Sequence, residues 1–183
     1  MSDTQWPRYE VFKQDAPHKP HESIGTVHAV DGEMALQNGR DIYVRRPRCH
    51  SLWVARTDAI FAKTAEELAE DDSWQTNIDT TAPKIIYFVF QKQTERRGMA
   101  YVTHVGEVEA SSPEHALQLA IARFDGEEVF VWWVCPETAV TKSTDLDVQP
   151  MFVPATEKKF RMPNQYKTVF SMQKIKRSEK EDG

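Results

Sequence analysis

Apolar and polar residues alternate with period two over Tyr9 to Gln14 and Ile24 to Val30, and again over Ile85 to Gln91 and Ala100 to Ala110. Alternation of that kind puts one face of a strand against a core and the other against solvent or a second layer, so each run predicts a strand. A helical period follows each pair. Ala35, Leu36, Gly39 and Tyr43 share one face in the first case, and Ala116, Leu117, Ala120, Ile121 and Phe124 in the second. Asp31 stands at the cap position of the first helix. Ser112-Pro113-Glu114 supplies a cap oxygen, a first-turn proline and an acidic charge for the second. A last strand closes each series, Ser51 to Arg56 and then Glu128 to Cys135.

The two series are copies of each other. Laid over itself with an offset of 81, the chain matches Ser23 to Gln37 with His104 to Gln118 at 7 of 15 positions, where unrelated sequence gives about one. With small shifts that belong in loops, Tyr9-Glu-Val-Phe12 falls on Tyr87-Phe-Val-Phe90 and Trp53-Val54 on Trp133-Val134. The expected fold class is α+β: two strand-strand-helix-strand modules, with mainly antiparallel sheets and a helix packed on one face of each. The expected division is 1–63 for the first module, 64–84 for a linker, 85–173 for the second module and 174–183 for a disordered tail. The linker is polar and acidic, with a capping-box start at Thr64-Ala-Glu-Glu67 that predicts a short helix. The tail is dominated by charge and has no apolar face to offset its ordering entropy.

Composition narrows what such a protein does. A net charge of −5 over 183 residues lacks the basic surplus of a nucleic-acid binder. Cys49 and Cys135 form no paired motif, which fits a reducing cytoplasm. The longest apolar run, Val129 to Cys135, is the length of a buried strand and far short of a bilayer. The start of the chain has neither the basic residues nor the apolar stretch of a signal peptide.

No motif carries catalysis. No histidine has a glutamate three residues before it, so no helix presents the Glu-x-x-His ligand pair of a di-iron centre. His18 and His21, with Pro17 and Pro20 beside them, read as a surface loop. No Gly-x-Gly, P-loop or Gly-x-Ser-x-Gly elbow occurs. Cys49 and His50 are neighbours, which on a strand face opposite ways and cannot share a proton. Two features remain. Arg45, Arg46 and Arg48 follow the first helix, where they either offset its dipole in solvent or hold an acidic partner. Trp6, Trp53 and the other aromatics exceed what one inner face can hold, so either the modules cover each other or one face is an interaction surface.

Trp6-Pro-Arg-Tyr-Glu-Val-Phe12, Gly25-Thr-Val-His-Ala29, Met34-Ala-Leu36, Arg40-Asp-Ile-Tyr43, Arg45-Arg46 and Leu52-Trp-Val54 together resemble the B subunit of the multicomponent ring-1,2-phenylacetyl-CoA epoxidase. The match runs from about Gln5 to Glu67. A weaker echo returns in Pro154 to Tyr166, which looks like the family's closing segment and adds Arg161 and Tyr166 to the partner-binding candidates. The resemblance implies a non-catalytic structural subunit with no cofactor and no metal. Its implied partners are a di-iron oxygenase subunit and that subunit's ferritin-like companion, with self-association as a further expectation. The family's usual member has one module; here the second is inserted before the closing segment, and Met162 stands where the family tends to have His. The other functional expectation is a stand-alone protein or enzyme binding an aromatic acid or acyl-CoA between the modules.

Overall fold

The computed structural model describes residues 6–44, 48–70, 73–76, 78, 82–93, 102–124 and 129–157. The first module contributes strands β1 (Arg8–Gln14) and β2 (Glu22–His28), helix α1 (Gly32–Tyr43) and strand β3 (Ser51–Arg56). A turn of 3-10 helix leads into β4 (Phe61–Thr64) and the short helices α2 (Ala65–Glu70) and α3 (Ser73–Thr76). The second module repeats the order with β5 (Ile85–Lys92), β6 (Thr103–Ala110), α4 (Pro113–Phe124) and β7 (Val131–Pro136). Another 3-10 turn leads into β8 (Val140–Lys142), and helical segments end in α5 (Val153–Glu157).

The helix starts follow from the caps. The Asp31 carboxylate accepts the Met34 N–H at 2.8 Å, and the Ser112 hydroxyl accepts the His115 N–H at 3.1 Å. The capping box of α2 is reciprocal: Thr64 N–H donates to Glu67 at 2.8 Å and Glu67 N–H to the Thr64 hydroxyl at 3.1 Å.

Both copies carry the same bulge. The register of β1 on β2 shifts between Val11 and Phe12, and that of β5 on β6 between Val89 and Phe90. Opposite the shifts stand Gly25 and Gly106, with φ of 136° and 157°, a region that penalises any side chain. The last aromatic of each helix, Tyr43 or Phe124, lies so close that a Cβ would collide with its ring. The Tyr43 hydroxyl donates to Thr26 O at 3.0 Å. Phe124 has no hydroxyl, and the neighbouring Arg123 donates to the equivalent carbonyl of Glu107 at 3.1 Å.

The expectation of separate sheets for the two modules is corrected by the pairing. A single eight-stranded antiparallel sheet runs β4-β7-β5-β6-β2-β1-β3-β8. Two features make it one. At the seam, Glu22 pairs with Thr103, its own equivalent in the repeat; Ser23 N–H donates to Val102 O at 2.9 Å and His104 N–H to His21 O at 2.8 Å. Each half thus makes the same contacts that it receives, the signature of a two-fold relation. Second, the halves exchange strands. β4 leaves the first module to pair with β7, and β8 leaves the second to pair with β3. Runs of four and three residues are too short to show a period, so the exchange left no pattern in the sequence.

The segment after each exchanged strand travels with it. Trp74 of α3 is buried among Tyr87, Leu117 and Trp132 of the second module, whereas Phe152 and Ala155 are buried among Val11, Leu36 and Leu52 of the first. The stretch 64–84 therefore holds helices packed on the second half. Three apolar layers result. Two lie between a helix and its half-sheet, and the third lies between the half-sheets, where Phe12 and Phe90 stack with centroids 4.4 Å apart. Mutual cover is how the molecule accommodates its aromatics: Trp132 joins a helix-side core, and Trp53 and Trp133 pack on the middle layer. The expected disordered tail, 174–183, lies outside the described residues.

Candidate docking site

In the middle layer, at matched positions, the halves carry different chemistry. On one side the His21 ring stacks on Trp53 at 3.6 Å, Trp53 stacks on Phe88 at 5.0 Å, and His104 meets Trp53, Phe88 and Phe90 at 5.2, 5.4 and 5.3 Å. Lys142 of β8 lies 4.4 Å from the Phe88 ring centre and 2.6 Å from Glu137. His21 Nε2 is 3.1 Å from the Ser51 hydroxyl, while His104 Nε2 is buried with no hydrogen-bond partner among the described residues. Burial, followed by the charges of His104, Lys142 and His50, pushes His21 down to about 3. Burial likewise takes His104 down to about 4. Both rings are neutral in the fold. His21 is thus buried, and the surface-loop reading of the His18–His21 pair holds only for His18, which is exposed.

At the positions of Phe88 and His104, the first module has Glu10 and Ser23. The Ser23 hydroxyl donates to the Glu10 carboxylate, and burial raises that carboxyl above its ordinary value despite this bond and nearby Arg8. Sequence reasoning passed over Glu10, although the match of Tyr9-Glu-Val-Phe12 to Tyr87-Phe-Val-Phe90 carried the signal: a carboxylate where the copy has an aromatic.

Among the described residues, no group of three or more His, Cys, Asp or Glu is placed to hold a metal ion. Burial raises Cys49 and Cys135 to about 12, so both stay thiols at neutral pH and are poor nucleophiles. No helix among the described residues is long and apolar enough to cross a membrane.

The partner-binding candidates separate in space. Trp6, just before β1, is 51% exposed and lines a groove of about 490 Å³ with Pro7, Arg8, His28, Arg56 and Asp58. His28 Nδ1–H donates to Trp6 O at 2.7 Å, which selects that tautomer, and Arg56 is paired with Asp58 at 2.5 Å. Trp53 belongs to the half-buried rim of the middle layer. Arg48 lines a different cleft with Cys49, His50 and Phe152. Arg45, Arg46, Arg161 and Tyr166 lie outside the described residues. The structure thus places Trp6 beside cations that the sequence did not single out, Arg8 and Arg56, because three strand ends converge there.

These features define a duplicated α+β protein in which, among the described residues, the buried polar groups are neutral or bonded and the most exposed tryptophan, Trp6, sits in a groove with two arginines. The chain belongs to the PaaB family, Phenylacetic acid degradation B, which matches residues 5–78 and again 85–173. It is similar to the B subunit of 1,2-phenylacetyl-CoA epoxidase of Escherichia coli (strain K12), with 43% identity over 70 residues, 38% of this chain and 74% of that protein. No solved structure matches.

Proposed function

We propose that the chain is a non-catalytic assembly subunit of a multicomponent di-iron monooxygenase of the phenylacetyl-CoA epoxidase type, acting in aerobic phenylacetate degradation. The observation that carries this reading is the family match in both modules, joined to likeness to a named epoxidase subunit. The chemistry of the described residues supports it, since the thiols are protonated and the buried histidines are held neutral by packing. The partners are the oxygenase subunit and its ferritin-like companion. Tagged protein co-expressed with both elutes with them on size exclusion; elution alone overturns the proposal.

The alternative is an aromatic-ligand protein with a site between the modules. The rings of Phe12, Phe90, Trp53 and Phe88 occupy that layer, which disfavours it. Saturable quenching of tryptophan fluorescence by phenylacetyl-CoA at micromolar concentration would reverse the preference.

A further inference from the structure

The two-fold relation makes a direct comparison of the two ends of the molecule possible. In the first module, Tyr9 pairs with Val27 and Arg56, and the neighbouring pair is Arg8 with His28. In the second, Tyr87 pairs with Val108 and Pro136, and the neighbouring pair is Ile86 with Glu109. Duplicated positions thus differ in chemistry: Ile86 replaces Arg8, Glu109 replaces His28 and Pro136 replaces Arg56. Arg8, His28, Arg56 and Asp58 stand around a half-exposed indole, with Arg56 held by Asp58 and the His28 Nδ1–H donated to Trp6 O. In the second module a hollow of about 590 Å³, lined by Ile86, Glu107, Glu109 and Arg123 among others, overlaps the counterpart of that groove at Ile86 and Glu109.

We infer that the molecule docks its oxygenase partner through the first-module end alone. The groove of Trp6, Arg8, His28 and Arg56 receives an acidic protein surface bearing an apolar anchor. This rests on the assembly-subunit reading above and adds the surface, the chemistry and a stoichiometry of one partner per chain. Tryptophan and arginine are the side chains that anchor interfaces, and here they share one concavity. The indole supplies contact area at little entropic cost, while the Arg8 guanidinium selects a carboxylate, that of Arg56 being held by Asp58. In the second module the same partner surface meets Glu107 and Glu109 against one cation, Arg123, and the acidic excess repels it. A second copy of this chain is a poor occupant. Its acidic end is itself concave, and two hollows have no complementary shape.

The test uses full-length protein co-expressed with the oxygenase subunit and its ferritin-like companion, with affinity and mass ratio measured on the purified complex. Trp6→Ala and Arg8→Glu each weaken binding by about tenfold or more, with unchanged melting temperature. Ile86→Ala and Glu109→Lys stay within about twofold of wild type, and native mass spectrometry gives one partner unit per chain. Arg8→Lys, which keeps the charge, retains more affinity than Arg8→Glu. A wild-type complex that ignores the first-module changes, responds equally to changes at both ends, or holds two partner units overturns this inference alone. Failure of the wild type to form any complex overturns the assembly reading and takes this inference with it. Concentration-dependent self-association of the isolated chain that Arg8→Glu abolishes assigns the groove to a second copy and also overturns it.

Discussion

The two modules differ least where each helix packs on its half-sheet and most where the halves meet or face outward. Ala35 and Leu36 match Ala116 and Leu117 in buried positions, and Gly25 matches Gly106 beneath an aromatic ring. The middle layer instead sets Glu10 and Ser23 against Phe88 and His104, and Lys142 beside Trp53 against Ala62 beside Trp133. In a dimer of identical chains any change at a two-fold interface occurs twice, so a carboxylate introduced there is duplicated. Within one chain the halves vary independently, and a polar group on one side can face an aromatic on the other. The helix-side cores gain no such freedom, because each must still fill its own space at crystal-like density.

The largest effect is expected in the layer that joins the halves. Phe12→Ala removes a fully buried ring stacked on Phe90 and is expected to cost about 3–5 kcal/mol, as is the matched Phe90→Ala. Urea unfolding of both variants should remain a single transition. A variant in which one half melts first would show that the modules are separate units. Next come the glycines: Gly25→Ala and Gly106→Ala each combine a disfavoured φ with a ring collision and should cost about 1–3 kcal/mol. Adding Tyr43→Ala or Phe124→Ala should recover the collision part only, measured by the same unfolding curves.

The histidines supply a pH test of the asymmetry. In the unfolded chain His21 and His104 titrate near 6.5, but in the fold near 3 and 4. Between these limits the unfolded state binds more protons, so stability must fall as pH drops from about 6.5 toward 4. His104→Ser, which installs the residue of the first module, should flatten the dependence of melting temperature on pH in that window; an unchanged slope would place the linkage elsewhere. Glu10 works in the opposite sense. Its raised carboxyl favours the fold below its ordinary value of 4.5, and that contribution is lost as pH rises through the folded value, so Glu10→Gln should gain stability at pH 7 relative to pH 4. The smallest effects belong to the substituted carbonyl partners. Tyr43→Phe and Arg123→Ala should each cost about 0.5–1.5 kcal/mol by chemical denaturation, despite their different chemistry.

Much of this architecture was legible in the chain, because the period of an apolar pattern is set locally. The six longer strands, the starts of α1 and α4 at Asp31 and Ser112, and the reciprocal cap of α2 all follow from residues within a few positions of one another. The duplication was legible too, since it needs only comparison of the chain with itself. The candidate site was legible in part. Trp6 stood out as a surplus aromatic, yet nothing local joined it to His28 and Arg56, which come from other strands.

What the tertiary structure alone decided is how the copies are joined. The repeat required two similar units, and it was equally compatible with separate sheets on a linker. Two strands of four and three residues, too short for a pattern, instead cross to the opposite half, and the seam at Glu22 and Thr103 completes one sheet. These are long-range pairings whose partners are chosen by the space left between packed layers, and no window of sequence contains both sides of that choice. The same placement turned surplus aromatics into a shared core and left one of them, Trp6, half exposed in a cationic groove.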